Sequence, residues 1–428
     1  MHATREHVVG LFQSALGIEE PWYVSEYQFD SESGRLGLNI DFRKGSRFIC
    51  PVCGAEGAEP YDTKERTWRH LNFFQHQTSL TARIPRVQCI APSCGMVKTV
   101  NPPWAAQGSH FTMLFEAFIM VLAAEMPVKA IADMVGEYDQ RIWKIIDRNV
   151  EEALAKEDYS NVAQIGIDET SSKRGHNYIT VVVDLDQRKA IFATEGKDAS
   201  TVDRFADHLI KHKGDPKNIK AVSSDMSLAF ISGITKNFPD ADLVFDRFHI
   251  MKLMGDAVDN VRREESKETD ALKKTRYLWL SNPKNLNADQ TEKLSSLTKL
   301  NLKTARAYRL KLALAEFFEQ EDYSSAEAHL KSWYYWATHS RLEPIIKAAK
   351  TIKKHWEGVM AWYIKPINNG ILEGFNSLIQ AAKARARGYR TTKNLITMVY
   401  LVAGKLNFDL ERVYLEAMQK ASKPASTA

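Results

Sequence analysis

Apolar residues recur along this chain at two different periods, and the changes of period divide it. Residues 1–40 are mixed and predict no clear element. Leu80, Ala82 and Ile84 alternate with Thr81 and Arg83, the period of a half-buried strand. A Pro-rich hinge, Asn101-Pro102-Pro103-Trp104, follows, and the pattern then turns helical. Residues 111–124 read as one helix. Pro127 opens a second, with Ile131, Ala132 and Val135 at helical spacing. Gly136-Glu-Tyr makes a turn, and Asp139 is placed to cap a third helix with Ile142, Ile145, Ile146 and Val150 as its buried stripe. Gln140, Arg141, Lys144 and Arg148 are expected on its outer face.

From Val162 the period shortens. Residues 162–168 form an apolar run ending on Asp168, and 176–184 and 189–194 predict two more strands. An amphipathic helix over 201–211 turns Val202, Phe205 and Leu209 inward. A strand over 219–225 ends on Asp225, a helix spans 226–237, and a last strand covers 241–245. Three meandering strands, helix, strand, helix, strand is the order of the RNase H-like fold, an α/β sheet. Residues 251–366 are helical throughout and rich in aromatics, an all-α insertion before the sheet domain resumes. A helix over 371–386 then carries Glu373 near its start, with Leu372, Phe375, Leu378 and Ile379 directed at the sheet.

Length and charge narrow the classes. A chain of 428 residues exceeds one compact core, so several domains are expected. Net charge is only +5, but it is unevenly spread: residues 345–395 hold ten Lys/Arg against two acids, and 43–98 hold nine against four. Two basic blocks in a nearly balanced chain fit a polyanion contacted at two places. Helix, glycine turn and basic helix is the helix-turn-helix plan, whose second helix enters a DNA major groove. The most apolar window, 111–124, contains Glu116 and is too short to span a bilayer, which excludes a membrane role. The N-terminus has no secretory pattern, so a cytoplasmic protein is expected.

Two groups of residues carry candidate chemistry. All four cysteines fall in two pairs, Cys50-Pro-Val-Cys53-Gly and Cys89-Ile-Ala-Pro-Ser-Cys94-Gly. Paired thiolates followed by glycine form tight knuckles, and two knuckles supply the four soft ligands of one structural Zn²⁺. His70 and His76, in the long gap between the pairs, are possible substitutes. The second group is acidic: Asp168 and Asp225 each end an apolar strand, where α/β sheets place sites. Neighbouring carboxylates repel unless a cation lies between them. Glu373 on the closing helix would complete an all-oxygen pocket for Mg²⁺ or Mn²⁺. Two such ions, about 4 Å apart, could hold one scissile phosphate from both sides. Glu169 and Asp184 are alternative ligands. No GxxxxGK[ST] loop occurs, so ATP use is not indicated.

The runs Ile165-Gly-Ile-Asp168-Glu-Thr, Ser223-Ser-Asp225, Val244-Phe-Asp246-Arg-Phe-His249 and Asn368-Asn-Gly-Ile-Leu-Glu373-Gly-Phe-Asn376 resemble the ISL-three family of bacterial insertion-sequence transposases. The resemblance covers nearly the whole chain. It implies a catalytic DDE triad of Asp168, Asp225 and Glu373 that cleaves and joins DNA, with two divalent ions per site. Asp246 and His249 would support the site, His249 either orienting it or packing. The partners implied are the element's terminal inverted repeats and target DNA, bound by a dimer or higher oligomer near the bacterial nucleoid. Gln140, Arg141 and Lys144 would read base edges, with Arg148 beside them, while Lys383, Arg385, Arg387 and Arg390 would hold phosphates. The expected division is an N-terminal region (1–40), zinc module (41–104), helix-turn-helix domain (105–158), catalytic core (159–250 and 367–410), helical insertion (251–366) and tail (411–428). Two other readings fit parts of this pattern: a nuclease that cuts without joining, and a DNA-binding regulator without chemistry.

Overall fold

The computed structural model describes residues 2–173, 175, 177–364 and 370–409. Asn368 and Asn369 of the fourth motif, His176 at the head of a predicted strand, and the tail lie outside the described residues. Two compact units divide the chain, one running to Leu154 and one spanning Ala155–Lys405. None of the helices described is long and apolar enough to cross a membrane.

The first unit opens with helix α1 (His2–Ala15) and strands β1 (Trp22–Asp30) and β2 (Arg35–Phe42). These occupy the segment for which the pattern predicted nothing. Strands β3 (Pro60–Phe73), β4 (His76–Gln88) and β5 (Val97–Thr99) complete a sheet of order β1-β2-β4-β3, with β5 also on β4. Leu80, Ala82 and Ile84 point into its core as the alternation required, meeting Trp22, Leu36, Leu38, Ile40 and Trp68.

Helices α2 (Met113–Glu125), α3 (Val128–Val135) and α4 (Asp139–Leu154) follow. Thr112 caps α2 through the Phe115 N–H. Gly136 closes α3 at φ 69°, a left-handed conformation that only glycine adopts cheaply. Asp139 is the first residue inside α4, not its cap, and its carboxylate accepts the Gln140 N–H at 2.9 Å. The stripe Ile142, Ile145, Ile146 and Val150 is buried as expected. The outer face needs correction. Arg148 turns inward to pair with Glu116, whose side chain is only 5% exposed. Arg141 pairs with the buried Glu137 and lies 4.6 Å above the Phe111 ring. At about 3.6 residues per turn both arginines fall on the flank of α4, within reach of buried acids, whereas Gln140 and Lys144 stay exposed.

The second unit is built on β6 (Gln164–Lys173), β7 (Asn177–Asp184), β8 (Lys189–Glu195), β9 (Ala221–Ser224) and β10 (Asp242–Phe245). Their order is β10-β9-β6-β7-β8. β6, β7 and β8 pair antiparallel, while β9 runs parallel to both β6 and β10. Helices α5 (Ala199–Lys211) and α6 (Leu228–Asn237) cover one face, where Val202, Phe205 and Leu209 meet Ile165, Ile167 and Val182. The opposite face receives α14 (Gly370–Arg385), which packs on β6, and α15 (Thr392–Ala403), whose Tyr400 hydroxyl accepts the Ala193 N–H of β8. Leu372 and Ile379 of α14 are buried, but Leu378, expected to face the sheet, is 39% exposed.

From Arg247 to Tyr363 the chain is helical, as predicted. Helices α7 (Arg247–Glu265), α8 (Arg276–Leu280), α9 (Ala288–Lys299), α10 (Lys303–Phe317), α11 (Tyr323–Thr338), α12 (Glu343–Lys354) and α13 (Trp356–Met360) share a core. Trp279 and Trp333 are at its centre, each donating its indole N–H, to Thr275 and to the Leu310 carbonyl respectively.

Candidate active site and metal centre

Strand register decides where the acids go. The last β6–β9 pair is Gly166 with Ser223, so Asp168 and Asp225 each lie two residues beyond it, at the same level. The last β9–β10 pair is Ser224 with Phe245, so Asp246 lies level with Asp225. Three parallel strands therefore deliver three aspartates to one edge. The expectation that a strand ends on Asp168 is corrected: β6 continues to Lys173, paired antiparallel with β7. Only its pairing with β9 stops, so Asp168 lies just past the last β6–β9 pair.

Alternation along β6 assigns the faces. Ile165 and Ile167 point to α5 and α6, so Gly166, Asp168 and Thr170 point to α14. A Cβ at Gly166 would lie 2.6 Å from Leu372 Cδ2 and 3.0 Å from Cδ1 and Cγ. That absent methyl lets α14 sit against the strand, with Glu373 in its first turn. One face of α14 then reaches β6 three times. Asn376 Nδ2 donates to Asp168 Oδ2 at 2.6 Å, Gln380 Nε2 to Thr170 Oγ1 at 2.6 Å, and Lys383 Nζ to the Ser171 carbonyl at 2.6 Å. Asn376 was not foreseen as a site residue, nor was the contact of Gln380, outside the row of acids, to Thr170. Their signal was available in the helical spacing that puts residues 373, 376, 380 and 383 on one face.

The electrostatics are those of crowded acids. Burial raises the Asp168 carboxyl above its usual range; His249 and the donors Glu169 N–H and Asn376 work against this, and the Asp225 charge adds to it. Asp225 accepts the Ser227 N–H at 2.9 Å. Asp246 is buried, caps α7 through the Phe248 N–H at 2.7 Å, and lies 3.6 Å from His249 Nδ1. Burial disfavours a charged His249, yet Asp246, Asp168 and Asp225 together raise its pKa above the usual value. His249 thus lies beside the row of acids, closest to Asp246, and feels the charge of all three. Glu373 is exposed, and the three carboxylates of the expected triad are not drawn into a tight cluster. The alternative ligands are otherwise engaged. Asp184 accepts the Asp186 and Gln187 N–H groups of the β7–β8 turn, and Glu169 pairs with Lys197 at 3.5 Å.

The basic residues after Glu373 do not form one patch. Lys383 is tied to β6, whereas Arg385, Arg387 and Arg390 are exposed, with the Arg390 carbonyl held by Lys173 Nζ at 2.9 Å.

In the first unit, Cys50, Cys53, Cys89 and Cys94 bring their four Sγ atoms within 4.8 Å of one another. The Cys53 and Val52 N–H groups pull the Cys50 thiol down to about 7. The Ala91 N–H lowers Cys89, but burial and the neighbouring thiols outweigh it and push Cys89 up to about 12. Four thiols so close cannot all ionise without a cation among them. His70 and His76 are not substitutes. His70 Nδ1 is 2.9 Å from Thr112 Oγ1, and His76 packs edge-on to Phe29.

Known proteins match this chain in three successive segments. Residues 46–94 match the zinc finger of the IS204/IS1001/IS1096/IS1165 transposases. Residues 100–150 match the helix-turn-helix domain of transposase family ISL3, and 165–399 match that family's DDE transposase domain. The transposase for insertion sequence element IS1557 of Mycobacterium tuberculosis is 27% identical, covering 92% of this chain and 95% of its own. The transposase for IS1001 of Bordetella parapertussis is also 27% identical, over 88% and 94%. Zinc ribbon, helix-turn-helix and DDE domain thus stand in the order that the cysteine pairs, the basic helix and the strand-borne acids had indicated, and the chain belongs to the ISL3 family of DNA transposases.

Proposed function

We propose that Asp168, Asp225 and Glu373 are the DDE triad of this transposase, carried on an RNase H-like core, and that together they hold two Mg²⁺ or Mn²⁺ ions. The observation that carries this reading is the register of β6 and β9, which sets the two aspartates level beneath the helix bearing Glu373. The donor set fits such ions: all ligands are carboxylate oxygens, the choice of hard divalent cations, and burial together with the Asp225 charge disfavours an ionised Asp168, a penalty that a cation between them would relieve. When bound, the ions would activate the attacking water or 3′-hydroxyl and neutralise the leaving oxygen. The chain's own residues hold and orient: Asn376 and the Glu169 N–H fix the Asp168 oxygens, and His249 lies beside the acids, 3.6 Å from Asp246.

The four cysteines hold one structural Zn²⁺. The zinc and helix-turn-helix elements bind the terminal inverted repeats, Gln140 and Lys144 being the exposed readers on α4 and Arg385, Arg387 and Arg390 the phosphate contacts. Transposition joins two ends to a target, so the active form is a dimer or higher oligomer on DNA.

The test uses Asp168→Asn, Asp225→Asn and Glu373→Gln with pre-cut and uncut element ends and a supercoiled target. Each should lose cleavage and joining by several decades while end binding stays near wild type. A variant that cuts at the wild-type rate removes its residue from the triad. Cutting without joined products by the wild type would favour a nuclease.

A further inference from the structure

Both oxygens of Asp168 are held, and neither is closed. Oδ2 accepts Asn376 Nδ2 at 2.6 Å and Oδ1 accepts the Glu169 N–H at 2.7 Å. Each carboxylate oxygen offers two lone-pair directions, so one remains open on each. A backbone N–H one residue away would restrain the carboxyl in any similar strand. The Asn376 contact is different, because it crosses from α14 and originates one turn beyond Glu373.

That contact belongs to a series. Gln380 and Lys383 reach Thr170 and Ser171 from the same helix face, so α14 is registered on β6 by polar contacts as well as by Leu372 and Ile379. Of the three, Asn376 alone touches an acid of the row. The Asn376 amide therefore restrains the Asp168 carboxylate from the same helix that carries Glu373, one turn away.

We infer that Asn376 is a positioning residue that sets the affinity of the acidic site for divalent cations. This rests on reading Asp168 as a metal-binding carboxylate. Second-layer partners of metal ligands typically change metal affinity by about 10–100-fold when removed, because the freed ligand must be ordered again at each binding event. Asn376→Ala and Asn376→Leu both delete the donor, and the leucine keeps most of the volume should the alanine variant fold poorly.

The experiment titrates Mn²⁺ into the full-length, zinc-loaded protein without DNA, by calorimetry, and follows thermal unfolding without Mn²⁺. Asn376→Ala and Asn376→Leu should raise the Mn²⁺ dissociation constant by about 10–100-fold, with an unfolding temperature near wild type, while Gln380→Ala leaves the constant unchanged. Raising Mn²⁺ should restore cleavage in the Asn376 variants. Asp168→Asn, run alongside, separates the two readings. Should Asp168→Asn lose Mn²⁺ binding while both Asn376 variants bind as wild type, the positioning role is overturned and the triad stands. Wild-type binding by Asp168→Asn overturns both. An equal shift in the Gln380→Ala and Asn376 variants would mean that Asn376 merely docks the helix, which also overturns the inference.

Discussion

Replacing Gly166 with alanine probes how the third carboxylate is brought to the strand. The new Cβ would meet three atoms of Leu372, including Cγ at 3.0 Å, so rotating the outer methyls alone cannot clear it. Leu372 is 3% exposed and has little space to move into. The clash must be relieved by shifting α14, and overpacking of this kind costs about 1–3 kcal/mol. In a unit of this size each kcal/mol lowers the unfolding temperature by about 2–4 °C, so Gly166→Ala should lose ~5 °C. Its effect on chemistry should be larger, because Glu373 is the next residue along the helix. A displacement near 1 Å at a reacting centre can cost about 100-fold in rate.

Leu372→Ala removes the atoms that the new methyl meets. Alone it should cost about 2–5 kcal/mol for the lost burial and the cavity. In the double variant the Gly166→Ala penalty should disappear, since the added methyl then occupies the vacated space. Thermal unfolding of the four proteins, with cleavage of a labelled element end, measures both effects. A coupling of about 1–3 kcal/mol between the two sites is expected. If Gly166→Ala costs the same in both backgrounds, the close approach of α14 to β6 is not what glycine provides there, and the explanation fails.

Other consequences follow from the first unit and the basic residues. Protein purified without chelator should contain one zinc per chain, and Cys53→Ser should lose it and unfold the knuckles, because metal binding supplies much of their folding free energy; unchanged metal content by elemental analysis would contradict this. Burial, and then the Arg69 charge, lower the His70 pKa to about 4, so the unfolded chain binds the extra proton first. The stability His70 contributes is complete above about pH 6.5 and is lost as pH falls towards 4, by up to about 3 kcal/mol. His70→Gln should flatten urea midpoints measured across that window. Gln140→Ala and Lys144→Ala should blur discrimination between a true and a scrambled end, by about 1–3 kcal/mol for a bidentate contact. Arg385→Ala and Arg387→Ala should weaken both DNAs alike and lower the salt slope. Arg141→Ala, with its guanidinium engaged by Glu137, should reduce stability before it alters specificity.

Elements defined by their own periodicity were legible in the sequence; features defined by a neighbour were not. The α2–α4 stripes and the β6–β10 order follow from local spacing, and so they appear within a few residues of where the pattern put them. The missed strand β2 carried the same signal, Leu36, Leu38 and Ile40 alternating after a turn at Gly34, but a short run preceded by mixed sequence does not stand out. Asp168 was found for its position after an apolar run, although the strand continues past it; what stops is a pairing, and a pairing belongs to two strands. Asn376 is the same kind of case, visible as part of a helix face but given meaning only by the acid across from it.

Arg148 shows how such a partner could have been anticipated. Glu116 interrupts the most apolar helix of the chain, and a carboxylate among Phe115, Ala117, Ile119 and Met120 is costly unless a donor or cation reaches it. Ser109 donates to one oxygen, and the other needs a cation. On α4 the outer face is turned to solvent and the central stripe is apolar, so only a flank residue can reach α2. Arg141 and Arg148 are the arginines at that angle, and Arg141 is taken by Glu137. Arg148 is what remains, and it is the residue that pairs with Glu116. An acid inside an apolar helix is thus a sequence signal for a cation on the flank of the helix packed against it. A basic residue so employed should be subtracted from any count of DNA-contacting charge before a recognition face is drawn.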